Sequence, residues 1–150
     1  MALKEKIDTD IKKAMLAKEK DRLRALRAIK SMILLAESEK GGKEGLDSGK
    51  EIAMLMKAAK QRKESADVYK EQGREDLMNT ELVELEIIEE YLPKQLSRDE
   101  LTQKLQGIID KVGAQGPADM GKVMGTATKE LGGQADGKSI SSITKELLSK

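Results

Sequence analysis

Apolar residues recur along almost the whole chain at steps of three and four, and no stretch alternates convincingly at steps of two. A helix turns once in about 3.6 residues, so this spacing gathers apolar side chains into one stripe. A half-buried strand needs a period of two instead. The pattern therefore predicts an all-α protein. Leu3, Ile7, Ile11 and Met15 outline a first helix, and Leu23, Leu26, Ile29 and Ile33 a second. Between them Lys18–Arg22 is polar, with Asp21 the expected cap. Four glycines within residues 41–49 predict a flexible loop.

A third helix is expected from about Lys50, with Ile52, Leu55, Met56, Ala59, Ala66 and Tyr69 broadly on one side and Gly73 as its stop. Met78, Leu82, Leu85, Ile88 and Leu92 outline a fourth. Pro93 ends it, because proline disfavours helical geometry at the residue before it. Ser97 and Glu100 have the spacing of a capping box, followed by Leu101, Leu105, Ile108 and Val112 and then Gly113. Pro117 suits the first turn of a sixth helix with Met120, Val123, Met124, Ala127 and Leu131 inward. A seventh begins near Lys138 and buries Ile140, Ile143 and Leu147. The expected organisation is a four-helix N-terminal domain over residues 1–93 and a small three-helix domain over residues 97–150.

Composition removes several function classes. The 150 residues include no His, Cys, Phe or Trp and two Tyr. A Ser-His-Asp triad, a cysteine nucleophile, a disulfide and the usual zinc ligand sets are all excluded. Two tyrosines provide no stacking platform for single-stranded nucleic acid. The longest apolar run, Met32–Ala36, is five residues, against the roughly 20 a spanning helix needs. The charged N-terminus lacks a signal-peptide core. These features lead to the expectation of a cytoplasmic protein with no membrane partner, metal or cofactor.

The net charge of +1 conceals strong segregation. Residues 1–40 carry eleven basic and seven acidic groups, whereas residues 75–100 carry two and nine. Glu81, Glu84, Glu86, Glu89 and Glu90 read as a solvated face or as a dock for a basic element. Lys20, Arg24 and Arg27 form one stripe on the second helix that suits RNA phosphates. Lys57, Lys60 and Lys63 offer a weaker parallel.

Gly132–Ser139 matches the G-x-x-x-x-G-K-[ST] phosphate-loop pattern. That motif works only between a strand and a helix within a parallel sheet. Here helical spacing precedes it and 11 residues follow Ser139. The reading adopted is a glycine stop followed by a helix start, whose N–H groups beside Lys138 are available to a phosphate of a larger partner. Ser142-Ile143-Thr144-Lys145 repeats an S-x-x-K motif without the further motifs of serine acylases. Gly121 and Gly125 lie inside the sixth helix, where each costs about 1 kcal/mol relative to alanine. Close packing of the seventh helix, or close approach of a nucleic-acid backbone, would offset that cost. Lys122 with Lys129, and Lys138 with Lys145, are pairs seven apart, each pair on one helix face.

Several segments, taken in order, resemble the GatB/YqeY family. They are Leu23–Arg27, Lys60–Ser65, Gly73–Leu77, Glu84–Leu96 with its Glu90-Tyr91-Leu92-Pro93 block, Asp119–Gly125 and Ala135–Lys138. The resemblance spans nearly the whole chain and points to a stand-alone member. GatB is a subunit of the amidotransferase that converts misacylated Glu-tRNA(Gln) or Asp-tRNA(Asn) to the amide. The part of GatB that this chain resembles is its tRNA-contacting helical tail. The resemblance therefore implies tRNA docking without the kinase region or the glutaminase. It carries over to Gly121, Lys122, Gly125, Gly137 and Lys138; Gln134 stands where the family often has a basic residue.

The leading expectation is an accessory protein binding tRNA or another structured RNA through phosphate contacts at Gly121, Lys122, Gly125, Lys129, Gly137, Lys138 and Lys145, with Lys20, Arg24 and Arg27 as a secondary stripe. No catalytic residue is assigned. The alternatives are a helical protein-interaction adapter, with amidotransferase subunits as partners, and amidotransferase-class chemistry implied by the family label alone.

Overall fold

The computed structural model describes residues 3–39 and 47–150. Among these residues the secondary structure is seven α-helices and one 3-10 turn, with no strand. The helices are α1 (Leu3–Ala17), α2 (Lys20–Glu39), α3 (Ser48–Glu71), α4 (Glu75–Glu89), α5 (Arg98–Val112), α6 (Met120–Leu131) and α7 (Gly137–Leu148). The chain divides into two compact units, Met1–Leu92 and Pro93–Lys150.

In the first unit, α1 packs on α2, α3 on α4, and α2 bridges to α4. Ile7, Leu26, Ile29 and Leu55 are the fully buried centre of its core. Lys18 makes the turn between α1 and α2 in the left-handed region, at φ 57°, conformational space that a side chain enters at a cost. The stripe on α1 shifts from the expected one: Ala14 is buried, whereas Met15 is half-exposed and Leu16 is 86% exposed. Asp21 lies within the first turn of α2, so it is not the cap. α3 starts earlier than expected. Asp47 caps it by accepting the Lys50 N–H at 2.8 Å, so residues 48–49 of the expected loop are helix and residues 41–46 lie outside the described residues. Gly73 follows α3 at φ 72°.

The acidic face of α4 is only partly solvated. Glu84 is 7% exposed, with Arg24 Nε 3.3 Å from Oε1 and an Arg62 guanidinium nitrogen 3.1 Å from Oε2. The same Arg62 nitrogen lies 3.1 Å from Glu81. A buried carboxylate persists only when its charge is matched in this way. Glu84, Ile87 and Ile88 take the inward side of α4, so Leu82 is turned out to 42% exposure. After α4, the Tyr91 hydroxyl donates to Asp10 and Lys6 Nζ sits 5.2 Å from the Tyr91 ring centroid. Burial, the Asp10 hydrogen bond and the Asp10 charge push the phenol above its ordinary pKa.

The second unit has its own core of Leu101, Leu105, Ile108 and Ile109 on α5, Val123, Ala127 and Leu131 on α6, and Ile140, Ile143 and Leu148 on α7. Burying one such side chain contributes about 1.5–3 kcal/mol. The Ser97 capping box forms in both directions, with Glu100 N–H to Ser97 Oγ at 3.2 Å and Ser97 N–H to Glu100 Oε1 at 3.1 Å. Those bonds hold the Glu100 carboxyl below its ordinary pKa. Pro117 opens a 3-10 turn, Pro117–Asp119, that runs directly into α6. The segment before α5 is fastened to the turn after α6: Gln95 Nε2 donates to the Gly133 carbonyl at 2.7 Å, and Leu96 N–H donates to the Gln134 carbonyl at 2.9 Å.

Candidate nucleic-acid interface

The phosphate-loop resemblance dissolves in the geometry of residues 131–139. The element before the glycines is α6, a helix. A Cβ on Gly132 would lie 2.8 Å from the Thr128 carbonyl oxygen, and Gly133 is buried at φ 84°. The two glycines thus serve the turn between α6 and α7. Asp136 caps α7, its Oδ1 accepting the Ser139 N–H at 2.6 Å. A carboxylate therefore occupies the amide that a phosphate would need, and its charge opposes a second anion there.

The lysines fare differently. Lys122, Lys129, Lys138 and Lys145 are all exposed and make no ion pair with any described residue. In the same unit Lys94, Arg98 and Lys111 each face a carboxylate, on Glu100, Glu146 and Glu130 respectively. Counting roughly 100° per residue, Lys122 and Lys129 lie about 150° round α6 from the Val123–Ala127–Leu131 stripe. Lys138 and Lys145 likewise sit on the side of α7 away from Ile140 and Ile143. The residues expected to pack α6 against α7 are buried or partly buried. Both lysine pairs consequently project outward, away from the core stripes of their helices.

Gly121 and Gly125 are exposed, and a Cβ built at either would meet nothing within 4 Å. Packing of α7 is therefore not what these glycines accommodate. Gly137, at the start of α7, is exposed and equally open. On α2, Arg24 is engaged by Asp21 and Glu84, whereas Lys20 and Arg27 are exposed and without an ion pair among the described residues. The expected secondary stripe is thus broken at its centre by a structural arginine.

Three residues escaped the sequence reading. Lys104, Gly107 and Lys111 line a groove of about 240 Å³ between α5 and the end of α6. Their signal is a spacing shared by all three helices: Lys104-Gly107-Lys111, Lys122-Gly125-Lys129 and Lys138-Ser141-Lys145 each place lysines seven apart around a small residue at the third position. Seven residues rise about 10.5 Å along a helix, so each pair reaches across two turns over a low surface.

The sequence matches the model of the Yqey-like protein family over residues 4–148. The chain belongs to the Yqey-like family. The resemblance carried by its motifs is thereby established for the family. It is also 33% identical over 115 residues to a protein of Clavispora lusitaniae named "Altered inheritance of mitochondria protein 41, mitochondrial", covering 75% of this chain and 66% of that one. A protein of the same name from Lachancea thermotolerans is 32% identical over 111 residues, covering 73% of this chain and 59% of that one. The matched segment thus spans less than two thirds of either relative, and the mitochondrial designation is theirs. Among the described residues no helix is long and apolar enough to cross a membrane, and no cluster of three or more His, Cys, Asp or Glu is placed to hold a metal.

Proposed function

We propose that this Yqey-like chain is an RNA-binding accessory protein of the cytoplasm, with tRNA as the ligand class, docking through α6 and α7 of a three-helix C-terminal unit that follows a four-helix N-terminal one in the chain. The observation that carries the reading is the contrast within one unit. Four lysines on two helices stand exposed and unpaired, while Lys94, Arg98 and Lys111 are matched to carboxylates. Bare backbone at Gly121 and Gly125 lies on α6 and lets a polyanion come close. Without aromatic stacking residues on these helices, recognition is led by shape and phosphates rather than by bases.

Four phosphate contacts correspond to a log–log salt slope of about −3 to −4, taking the duplex coefficient for structured RNA. Filter binding of tRNA at two salt concentrations tests this. Lys122→Glu with Lys138→Glu is expected to abolish binding and leave the helical circular dichroism intact, whereas Lys57→Glu with Lys60→Glu, on α3, has a much smaller effect. Equal losses from both double variants would remove the C-terminal unit as the site.

A second reading is a protein-interaction adapter whose partners are amidotransferase subunits. It draws on the apolar side chains that unit one leaves in solvent, Leu16 at 86% and Leu35 at 64% exposure. Absence of any tRNA binding at low salt, with retention of such subunits by the full chain, would favour it.

A further inference from the structure

We infer that the groove between α5 and the end of α6 is a third contact for the sugar–phosphate backbone of RNA, made by Lys104, Gly107 and Lys111. The inference rests on the RNA-binding reading above and extends it to a helix outside the segments that carry the family resemblance. The groove holds about 240 Å³, below the roughly 300–1,000 Å³ of pockets that enclose metabolite-sized ligands. Its size therefore does not enclose a small molecule, whereas a strand of backbone need only lie across it. Its middle is bare: Gly107 is exposed, and a Cβ there would meet nothing within 4 Å. As at Gly125, an interior helical glycine is present with no neighbour inside the protein to require it.

Its charges fit the same occupant. Lys104 is exposed and has no ion pair within 4 Å among the described residues; the charge it acts on is Glu100, one turn earlier on α5, which the Ser97 capping box holds. Lys111 Nζ lies 2.9 Å from Glu130 Oε1, in a pair whose side chains are 68% and 41% exposed. An ion pair so exposed is weak, so Lys111 can exchange Glu130 for a phosphate. Gln134, on the rim, offers an amide that donates to phosphate oxygens or to a ribose hydroxyl. Glu130 is the one acidic side chain lining the groove, and it holds Lys111 back when RNA is absent.

The test uses the full chain, a tRNA transcript as probe, and filter binding from 50 to 200 mM salt. Lys104→Ala is expected to reduce the magnitude of the salt slope by about 0.9 and to weaken binding five- to ten-fold near 0.1 M salt. Gly107→Leu is expected to weaken binding at least five-fold while helical content stays equal or rises, because leucine is the better helix former and its Cβ meets nothing within 4 Å. Glu130→Gln, on α6, is expected to tighten binding, and to do so more than Asp99→Asn, which removes the same charge outside the groove, on α5. Wild-type affinity for Lys104→Ala and Gly107→Leu, with binding still lost in Lys122→Glu/Lys138→Glu, would overturn this contact and leave the RNA-binding reading in place. No binding by the wild type at 50 mM salt would overturn both.

Discussion

Replacing Gly121 and Gly125 together by alanine separates the stability of α6 from its use as a docking face. Gly125 sits in the interior of α6, where alanine is favoured by about 0.8–1.0 kcal/mol; Gly121 is the second residue of that helix, in its first turn, where the gain is smaller. A clash would subtract from that gain, but a Cβ at either position meets nothing within 4 Å. Neither glycine has a positive φ, so alanine adopts the backbone without strain. The double variant is therefore expected to be more stable by about 1–2 kcal/mol. In a unit of roughly 60 residues that is a rise of about 4–16 °C in Tm where the unit melts on its own. Urea and thermal denaturation followed by far-ultraviolet circular dichroism measure it, and tRNA filter binding on the same samples gives the second readout. The expected pattern is a stabler protein with weaker RNA binding, since two methyl groups now stand on the face a backbone must approach. Destabilisation would refute the open surface. Stabilisation with unchanged binding would refute the use of that surface by RNA.

Glu84→Ala removes a 7%-exposed carboxylate from between Arg24 and Arg62. Both arginines stay partly in water, so the loss should fall below the ~3–5 kcal/mol of a fully buried pair, at about 2 kcal/mol by urea denaturation at pH 7. Glu100 and Asp8 are held below their ordinary values of 4.5 and 3.8 by the capping box and by Lys30 respectively. The unfolded chain therefore binds more protons than the folded one as pH falls through this window. Both groups add stability above about pH 4.5 and lose it as pH falls through the depressed folded values; Glu100→Gln should flatten the acid limb of a stability–pH profile. Isothermal titration with ATP should give no binding heat, and a micromolar affinity lost in Lys138→Ala would restore the phosphate loop as a nucleotide site.

The helical class and most inward residues were legible because they depend on local spacing. Leu105, Val123, Ala127, Ile140 and Ile143 are all buried as the three-and-four pattern requires. The misreadings come where a tertiary partner outweighs the pattern. Met15 and Leu82 fit their stripes and are left half-exposed, because a helix has neighbours on only part of its apolar side. Glu84 breaks its stripe and is buried, because Arg24 and Arg62 arrive from two other helices. Periodicity carries no information about which charges will meet across 60 residues of sequence.

The candidate interface divides along the same line. The lysine pairs of α6 and α7 follow from spacing, but their availability does not. Lys111 has the same spacing relative to Lys104 as Lys129 has to Lys122, yet it forms an ion pair with Glu130, while Lys122 and Lys129 form none with any described residue. The matching of lysines to acids is settled by how α5 and α6 lie against each other, and only the folded unit shows it. The glycines carry the complementary lesson. In sequence, Gly121 and Gly125 suit a tight helix crossing and an open docking face equally well. The empty space around their ideal Cβ positions leaves the open face as the use with a physical reason. Two helical glycines with no internal neighbour to require them fit the docking face proposed above, and the alanine double variant decides whether RNA uses it.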